Sequence, residues 1–110
     1  MEHRLNEREC LAVPVMLYQC GLPTLCGTSV DISRAGIFVR TGPVRWRVNE
    51  CLEAELRGAQ GRTLRTSVVV VHWRETGVGL MFDELDDLQL EELEQLLASG
   101  RETLNRSVAA

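Results

Sequence analysis

The feature that most constrains the fold of this chain is a series of short segments in which apolar and polar residues alternate. In residues 51–57, Leu52, Ala54 and Leu56 alternate with charged residues, and residues 11–18 alternate in the same way. A period of two residues is typical of a β-strand with one buried face. Glycine and proline interrupt the pattern between segments, as they do at turns. The pattern therefore predicts a sheet of short strands.

Six such strands are predicted, at residues 11–18, about 26–32, 36–40, 51–57, 63–73 and 78–82. The fifth is the longest and richest in β-branched residues, and we expect it at the centre of the sheet. Pro14 cannot donate a hydrogen bond to a neighbouring strand, so an open edge is expected there. Gly79, inside the sixth strand, predicts a bulge or a close neighbour.

The last predicted element is a helix. Asp86 can cap its N-terminus, with Gln89 three residues later completing a capping box. Its apolar face consists of Leu93, Leu96 and Leu97. Gly100 is expected to end it. Six short strands followed by one helix predict an all-β fold, a six-stranded antiparallel β-barrel with a C-terminal α-helix.

The predicted organisation is a flexible N-terminal arm at residues 1–9, the barrel and helix at 10–100, and a frayed tail at 101–110. A chain of 110 residues with 45% hydrophobic and 25% charged residues fits one domain. It has no apolar run long enough to span a membrane and no secretion signal, so we expect a cytoplasmic protein that does not insert into membranes.

Charge bears on the class of ligand. The net charge of −4 argues against general nucleic-acid binding. All twelve basic residues are arginine, and residues 1–47 hold six of them against four acids. A compact anionic ligand is therefore expected to bind the N-terminal half.

The sequence predicts neither an enzyme nor a metal site. It contains no P-loop, no HExxH motif and no serine or cysteine grouping typical of nucleophilic catalysis. His72 is expected to be a packed or rim histidine. The four cysteines lack a C-x-x-C pair and are predicted to be reduced, mostly buried thiols, with a Cys20–Cys26 disulfide left open as an alternative; they are Cys10, Cys20, Cys26 and Cys51.

Two polar motifs stand beside the predicted strands. Arg4 and Arg8 form an R-x-x-x-R motif ahead of the first strand, and Asp31, Ser33 and Gly36 form a D-x-S-x-x-G turn after the second. Arginine forks bind phosphate oxygens and guanine edges, and carboxylate and hydroxyl oxygens accept guanine N–H groups. Either motif alone fits a structural explanation, as solvated charges or as an ordinary turn. Their combination, in this order, is more specific.

In these motifs the chain resembles the PilZ domain family, whose members are bacterial receptors for cyclic di-GMP. The family pattern is R-x-x-x-R, a strand, [D/N]-x-S-x-x-G at the second turn, six strands and a C-terminal helix. The resemblance extends from residue 4 to about 98 and includes Gly-Ile-Phe-Val at 36–39 and Gly-Val-Gly-Leu-Met-Phe at 77–82.

The resemblance implies roles for six residues. Arg4 and Arg8 would bind the phosphates and guanine edges of cyclic di-GMP, and Asp31 and Ser33 would bind a guanine. Gly36 would leave room for it. Trp73 occupies a position where some relatives place a tryptophan beside a guanine; packing at the barrel rim is its alternative.

The function that follows is a cyclic di-GMP receptor and adaptor. Ligand binding would order the N-terminal arm and signal to an unidentified protein partner in the control of motility, biofilm formation or chemotaxis. No cofactor is implied. The alternative is a PilZ-like module that binds a protein and no nucleotide. A small RNA-binding barrel fits the strand count but lacks the basic surface and the exposed aromatic residues.

Overall fold

Six strands and one helix make up the computed structural model, which describes residues 10–58 and 61–109, with side chains as far as residue 99. The elements are β1 (Pro14–Gln19), β2 (Leu22–Ile32), β3 (Gly36–Arg40), β4 (Cys51–Arg57), β5 (Thr63–Arg74), β6 (Gly77–Phe82) and α1 (Asp87–Ala109).

The strands close into a barrel in the order β1-β2-β3-β6-β5-β4, and every neighbouring pair is antiparallel. The predicted barrel is confirmed. The expectation that the fifth strand is central is wrong, because a closed sheet has no centre and β5 is paired on both sides like the others. At Pro14 the register of β1 with β4 starts only at Val15, so the missing N–H faces no partner strand there.

The core fills the barrel with alternate strand residues, such as Leu52, Ala54 and Leu56 of β4, all at most 5% exposed. The helix adds Leu93, Leu96 and Leu97 to the same cluster. A Cβ at Gly58 would lie 3.2 Å from Leu96, so α1 packs beside the turn between β4 and β5. Fully burying a leucine contributes about 1.5–3 kcal/mol to the free energy of unfolding, so the packing of α1 on the barrel stabilises the domain.

The start of α1 is as predicted and its end is not. The Asp86 carboxylate accepts a hydrogen bond from the Gln89 N–H at 2.7 Å, and the Gln89 side chain accepts one from the Asp86 N–H at 3.1 Å. The expected stop at Gly100 is wrong, since residues 101–109 are helical. An interior glycine costs a helix only about 1 kcal/mol relative to alanine, and no proline follows it.

The start of β2 and the exposure of the cysteines both differ from the predictions. The second strand was predicted to begin at about residue 26, but β1 and β2 are joined by a two-residue turn, Cys20–Gly21, with φ of 53° and 79°, and β2 begins at Leu22. Left-handed φ at both turn positions matches the twist of a tight hairpin. The four cysteines were predicted to be mostly buried, but all four are exposed free thiols. Cys20 lies in the hairpin turn, and Cys26 and Cys51 occupy exposed strand positions.

Candidate functional site

A groove of about 400 Å³ lies on the outside of the barrel. It crosses strands β2, β3, β6 and β5, which are neighbours in the closed sheet. Its lining includes Asp31 and Phe38 from the first pair of strands, and His72 and Arg74 from β5. Two irregularities in strand pairing determine which side chains face it.

A β-bulge in β2 brings Asp31 to the groove. Ser29 lies opposite Val39, but Asp31 lies opposite Phe38, which leaves Val30 as an extra residue between them. In a regular strand without a bulge, alternation would place Asp31 on the inner face with the buried Ser29, two residues earlier. The bulge moves Asp31 to the outer face, and Ile32 fills the core.

A second bulge in β5 acts in the same way on His72. Val70 lies opposite Leu80, but His72 lies opposite Gly79, which leaves Val71 extra. Strict alternation from Val70 would place His72 inward and Trp73 outward. The bulge reverses both positions, so His72 lies on the outer face.

With the two bulges counted, paired residues align in two rows across four strands. One row runs Asp31, Phe38, Gly79, His72, and the next runs Thr28, Arg40, Gly77, Arg74. Strand β6 contributes a glycine to each row. At these two positions β6 therefore places no side chain between those of β3 and β5.

Side chains of β3 and β5 contact each other across the two glycines of β6. The rings of Phe38 and His72 are stacked, with centroids 5.8 Å apart and planes 24° from parallel. The Arg74 guanidinium carbon lies 5.9 Å from the centre of the Phe38 ring. A Cβ at Gly79 would lie 2.1 Å from the His72 ring, so only glycine admits the imidazole there. The groove thus combines an aromatic pair, a carboxylate and the guanidiniums of Arg40 and Arg74.

The D-x-S-x-x-G turn is built around Ser33, which is 1% exposed. Its hydroxyl accepts hydrogen bonds from the Ala35 and Gly36 N–H groups at 3.1 and 3.3 Å. A Cβ at Gly36 would lie 2.2 Å from the Leu80 carbonyl oxygen, so this glycine permits the close approach of β3 to β6. Both residues shape the turn that follows Asp31.

The same turn is connected to the helix. Arg34, between Ser33 and Gly36 in the motif, forms an ion pair with Glu94 of α1. Both side chains are partly exposed, at 36% and 46%, so the pair contributes little to stability. It does place an acidic position of α1 next to the motif.

Among the described residues that the sequence singled out, Asp31 lines the groove, and Ser33, Gly36 and Trp73 do not. Trp73 lies opposite Val78 and is 37% exposed. Arg4 and Arg8 fall outside the described residues. Sequence reasoning did not assign Phe38, His72 or Arg74 to the site, and the signal available for them was Gly79 inside a strand.

A second depression of about 270 Å³ adjoins the groove and shares Val30 and Arg40 with it. Cys10, the first described residue, lines this depression. The next residues are anchored there, because Ser29 accepts a hydrogen bond from the Val13 N–H and donates one to the Leu11 carbonyl. The chain therefore enters the barrel beside the groove.

The described residues form neither a metal-binding cluster nor a membrane-spanning helix. Within residues 10–58 and 61–109, no group of three or more histidine, cysteine, aspartate or glutamate residues is placed to hold a metal. In the same part of the chain, α1 is too polar for a transmembrane helix, and no other helix is a candidate.

Comparison with known proteins agrees with this architecture. A PilZ domain family model matches residues 2–99. The Bacillus subtilis inhibitor of motility (MotI/DgrA) has a similar structure, with a TM-score of 0.73 and 22% identity over 96% of this chain and 53% of that one. The present chain thus spans about half the length of that protein.

A second similar structure is the PilZ domain of CeSA from a cellulose synthesizing bacterium. Its TM-score is 0.70, with 14% identity over 84% of this chain and 96% of that domain. At these identities the likeness shows a shared fold. No curated protein matches the sequence.

Proposed function

This chain belongs to the PilZ domain family, and we propose on that basis that it is a cyclic di-GMP receptor that signals to a protein partner. The observation that carries the proposal is the bulged register that turns Asp31, Arg40 and Arg74 toward one groove on the outside of the barrel. The ligand is a dianion with two guanines, and the groove offers cations and a carboxylate side by side.

Each of these groups has a matching part of the ligand. The Asp31 carboxylate accepts hydrogen bonds from guanine N–H groups. The guanidiniums of Arg40 and Arg74, one row away on the same face, bind phosphate oxygens. Ser33 and Gly36 assist Asp31 in holding the guanine, and the contacts of the Ser33 hydroxyl support a role in fixing the turn.

The N-terminal arm completes the site in this proposal. Cys10 lines the depression next to the groove. At a maximum of about 3.6 Å per residue, Arg8 lies within about 7 Å of Cys10 and Arg4 within about 22 Å. Both are within reach of a ligand in the groove. Two charge-assisted contacts at about 1.5–3 kcal/mol each, added to the guanine contacts, are sufficient for micromolar binding.

Ligand binding creates a new surface on the domain, and this surface transmits the signal. Binding orders the arm across the groove, and a protein partner recognises the ordered form. The name of the Bacillus subtilis relative suggests motility as one output to examine. The groove holds no catalytic grouping in this proposal, and the domain acts as a receptor and not as an enzyme.

Isothermal titration calorimetry with cyclic di-GMP tests the proposal. We expect the wild-type protein to bind, Arg8→Ala to give no measurable heat, and Asp31→Ala to bind at least tenfold more weakly. Arg57→Ala is the matched control, because Arg57 is an exposed arginine of β4 outside the groove. Thermal unfolding of all variants separates lost binding from lost fold.

Two outcomes contradict the proposal at different levels. Absence of heat with wild-type protein at saturating ligand rejects the receptor. Equal affinities of wild type and Arg8→Ala reject the role of the arm alone.

A second candidate function is a protein-binding module that needs no nucleotide. Met81 and Leu88 are apolar side chains that are 48% and 67% exposed and available for contact with a partner. This function predicts partner binding that is unchanged by cyclic di-GMP, which a pull-down with and without the nucleotide distinguishes.

A further inference from the structure

We infer that His72, held against Phe38, is the stacking surface for one guanine base of the ligand, an inference that rests on the proposed function. Base stacking needs an aromatic face that is both accessible and fixed in orientation. His72 is an exposed residue, Phe38 is half-buried, and both line the groove. Their stacked geometry makes them one aromatic surface.

The orientation of the imidazole is fixed by its surroundings on two sides. Phe38 stacks against it from β3, with ring centroids 5.8 Å apart. Beneath it, β6 provides Gly79, whose missing Cβ leaves the space that the ring occupies. A side chain restrained in this way loses little conformational entropy when a base stacks on it.

The spacing between rows fits a nucleotide. The aromatic row of Phe38 and His72 and the cationic row of Arg40 and Arg74 are two residues apart along the same strands. Two residues of an antiparallel strand span about 6.8 Å. A base on the aromatic row can therefore place its phosphate near the cationic row, since base and phosphate in a nucleotide are separated by one sugar.

Tyr18 is the matched control that the chain itself offers. It is a half-buried aromatic residue of β1, with the Arg65 guanidinium carbon 4.0 Å from its ring centre, and it lies outside the groove lining. If an aromatic ring on the barrel surface were sufficient, Tyr18 would serve as well as His72.

Calorimetry with cyclic di-GMP on His72→Ala, His72→Phe and Tyr18→Ala tests the inference. Base stacking contributes enough that His72→Ala should weaken binding about 5- to 150-fold. His72→Phe should retain affinity within about threefold, because phenylalanine keeps an aromatic face. Tyr18→Ala should bind like wild type. In NMR spectra, ring protons of Phe38 and His72 should shift upfield on binding, which a purely structural role would not produce.

The outcomes separate this inference from the proposed function. Wild-type binding combined with an unaffected His72→Ala removes the stacking role and leaves the receptor. Binding by His72→Phe that is as weak as that of His72→Ala also overturns it, since an imidazole hydrogen bond would then be the contribution. A loss in Tyr18→Ala equal to that in His72→Ala overturns the assignment to His72. Absence of binding by the wild type removes the receptor and this inference together.

Discussion

The Ser29 hydroxyl accepts a hydrogen bond of 2.8 Å from the Val13 N–H, which joins the segment before β1 to β2. It also donates a hydrogen bond to the Leu11 carbonyl, and Ser29 is 3% exposed. Ser29→Ala should therefore lower the free energy of unfolding by about 1–3 kcal/mol, because two buried backbone groups lose a partner. Urea denaturation measures this change. Ser67→Ala, at an exposed position of β5, should stay within about 0.5 kcal/mol of wild type.

Ser29→Ala also bears on the arm, because the contacts of Ser29 lie at its attachment point. If the anchored segment positions Arg8, cyclic di-GMP affinity should fall in Ser29→Ala even at temperatures where the domain is fully folded. Unchanged affinity and unchanged stability would contradict the role given to these hydrogen bonds.

Arg40 and Arg74 should each contribute to ligand affinity through charge. Replacement of either by alanine removes a charge-assisted contact, and we expect binding to weaken about 10- to 150-fold. The dependence of the dissociation constant on salt should also become shallower, because fewer opposite charges meet. Titrations at two sodium chloride concentrations measure both effects. Retention of the wild-type salt dependence by both variants would argue against phosphate contacts at this row.

The glycines of two strands should respond differently to alanine. A Cβ at Gly36 meets the backbone carbonyl of Leu80, which cannot move aside, so Gly36→Ala should cost about 1–3 kcal/mol of stability. The atoms nearest to a Cβ at Gly79 all belong to the His72 ring, a side-chain end that a methyl group would displace from its position against Phe38. Gly79→Ala should therefore keep stability within about 0.5 kcal/mol and lose ligand affinity. Thermal unfolding and calorimetry on both variants check this contrast, and the reverse ranking of stabilities would contradict it.

Thr66 offers a stabilising substitution. Its side chain lies inside the barrel at 3% exposure, and its hydroxyl has no hydrogen-bond partner among the described residues. Thr66→Val keeps the shape and removes the unsatisfied group, so the free energy of unfolding should rise by about 1 kcal/mol. Thr63→Val, at an exposed position of the same strand, is the control and should change little. A loss of stability in Thr66→Val would mean that the hydroxyl has a partner in solution.

The sequence predicted the barrel because alternation is reliable wherever the pairing is regular. In β4 the register runs without interruption from Cys51 to Arg57, and the residues predicted to face inward are buried. The capping box of α1 was equally readable, because Asp86 and Gln89 interact locally. Periodicity and local contacts carry this information in the sequence itself.

The composition of the groove could not be predicted in the same way. The extra residues of the two bulges, Val30 and Val71, are β-branched residues that fit a regular strand equally well. Nothing local marks them, and the shift in register exists only relative to the neighbouring strands. The resemblance to the family pointed to Trp73, and His72 was predicted to be a packed or rim histidine. The Gly79 signal was correct but did not identify its neighbour.

The closed sheet has a consequence for how such a domain can be used. A strand edge left open is a template for another extended chain, and natural proteins cover or charge such edges to avoid aggregation. Here every strand has a partner on each side, so no edge needs that protection. Such a domain can be fused to unrelated modules, or function beside them, without exposing an unpaired strand edge that promotes aggregation.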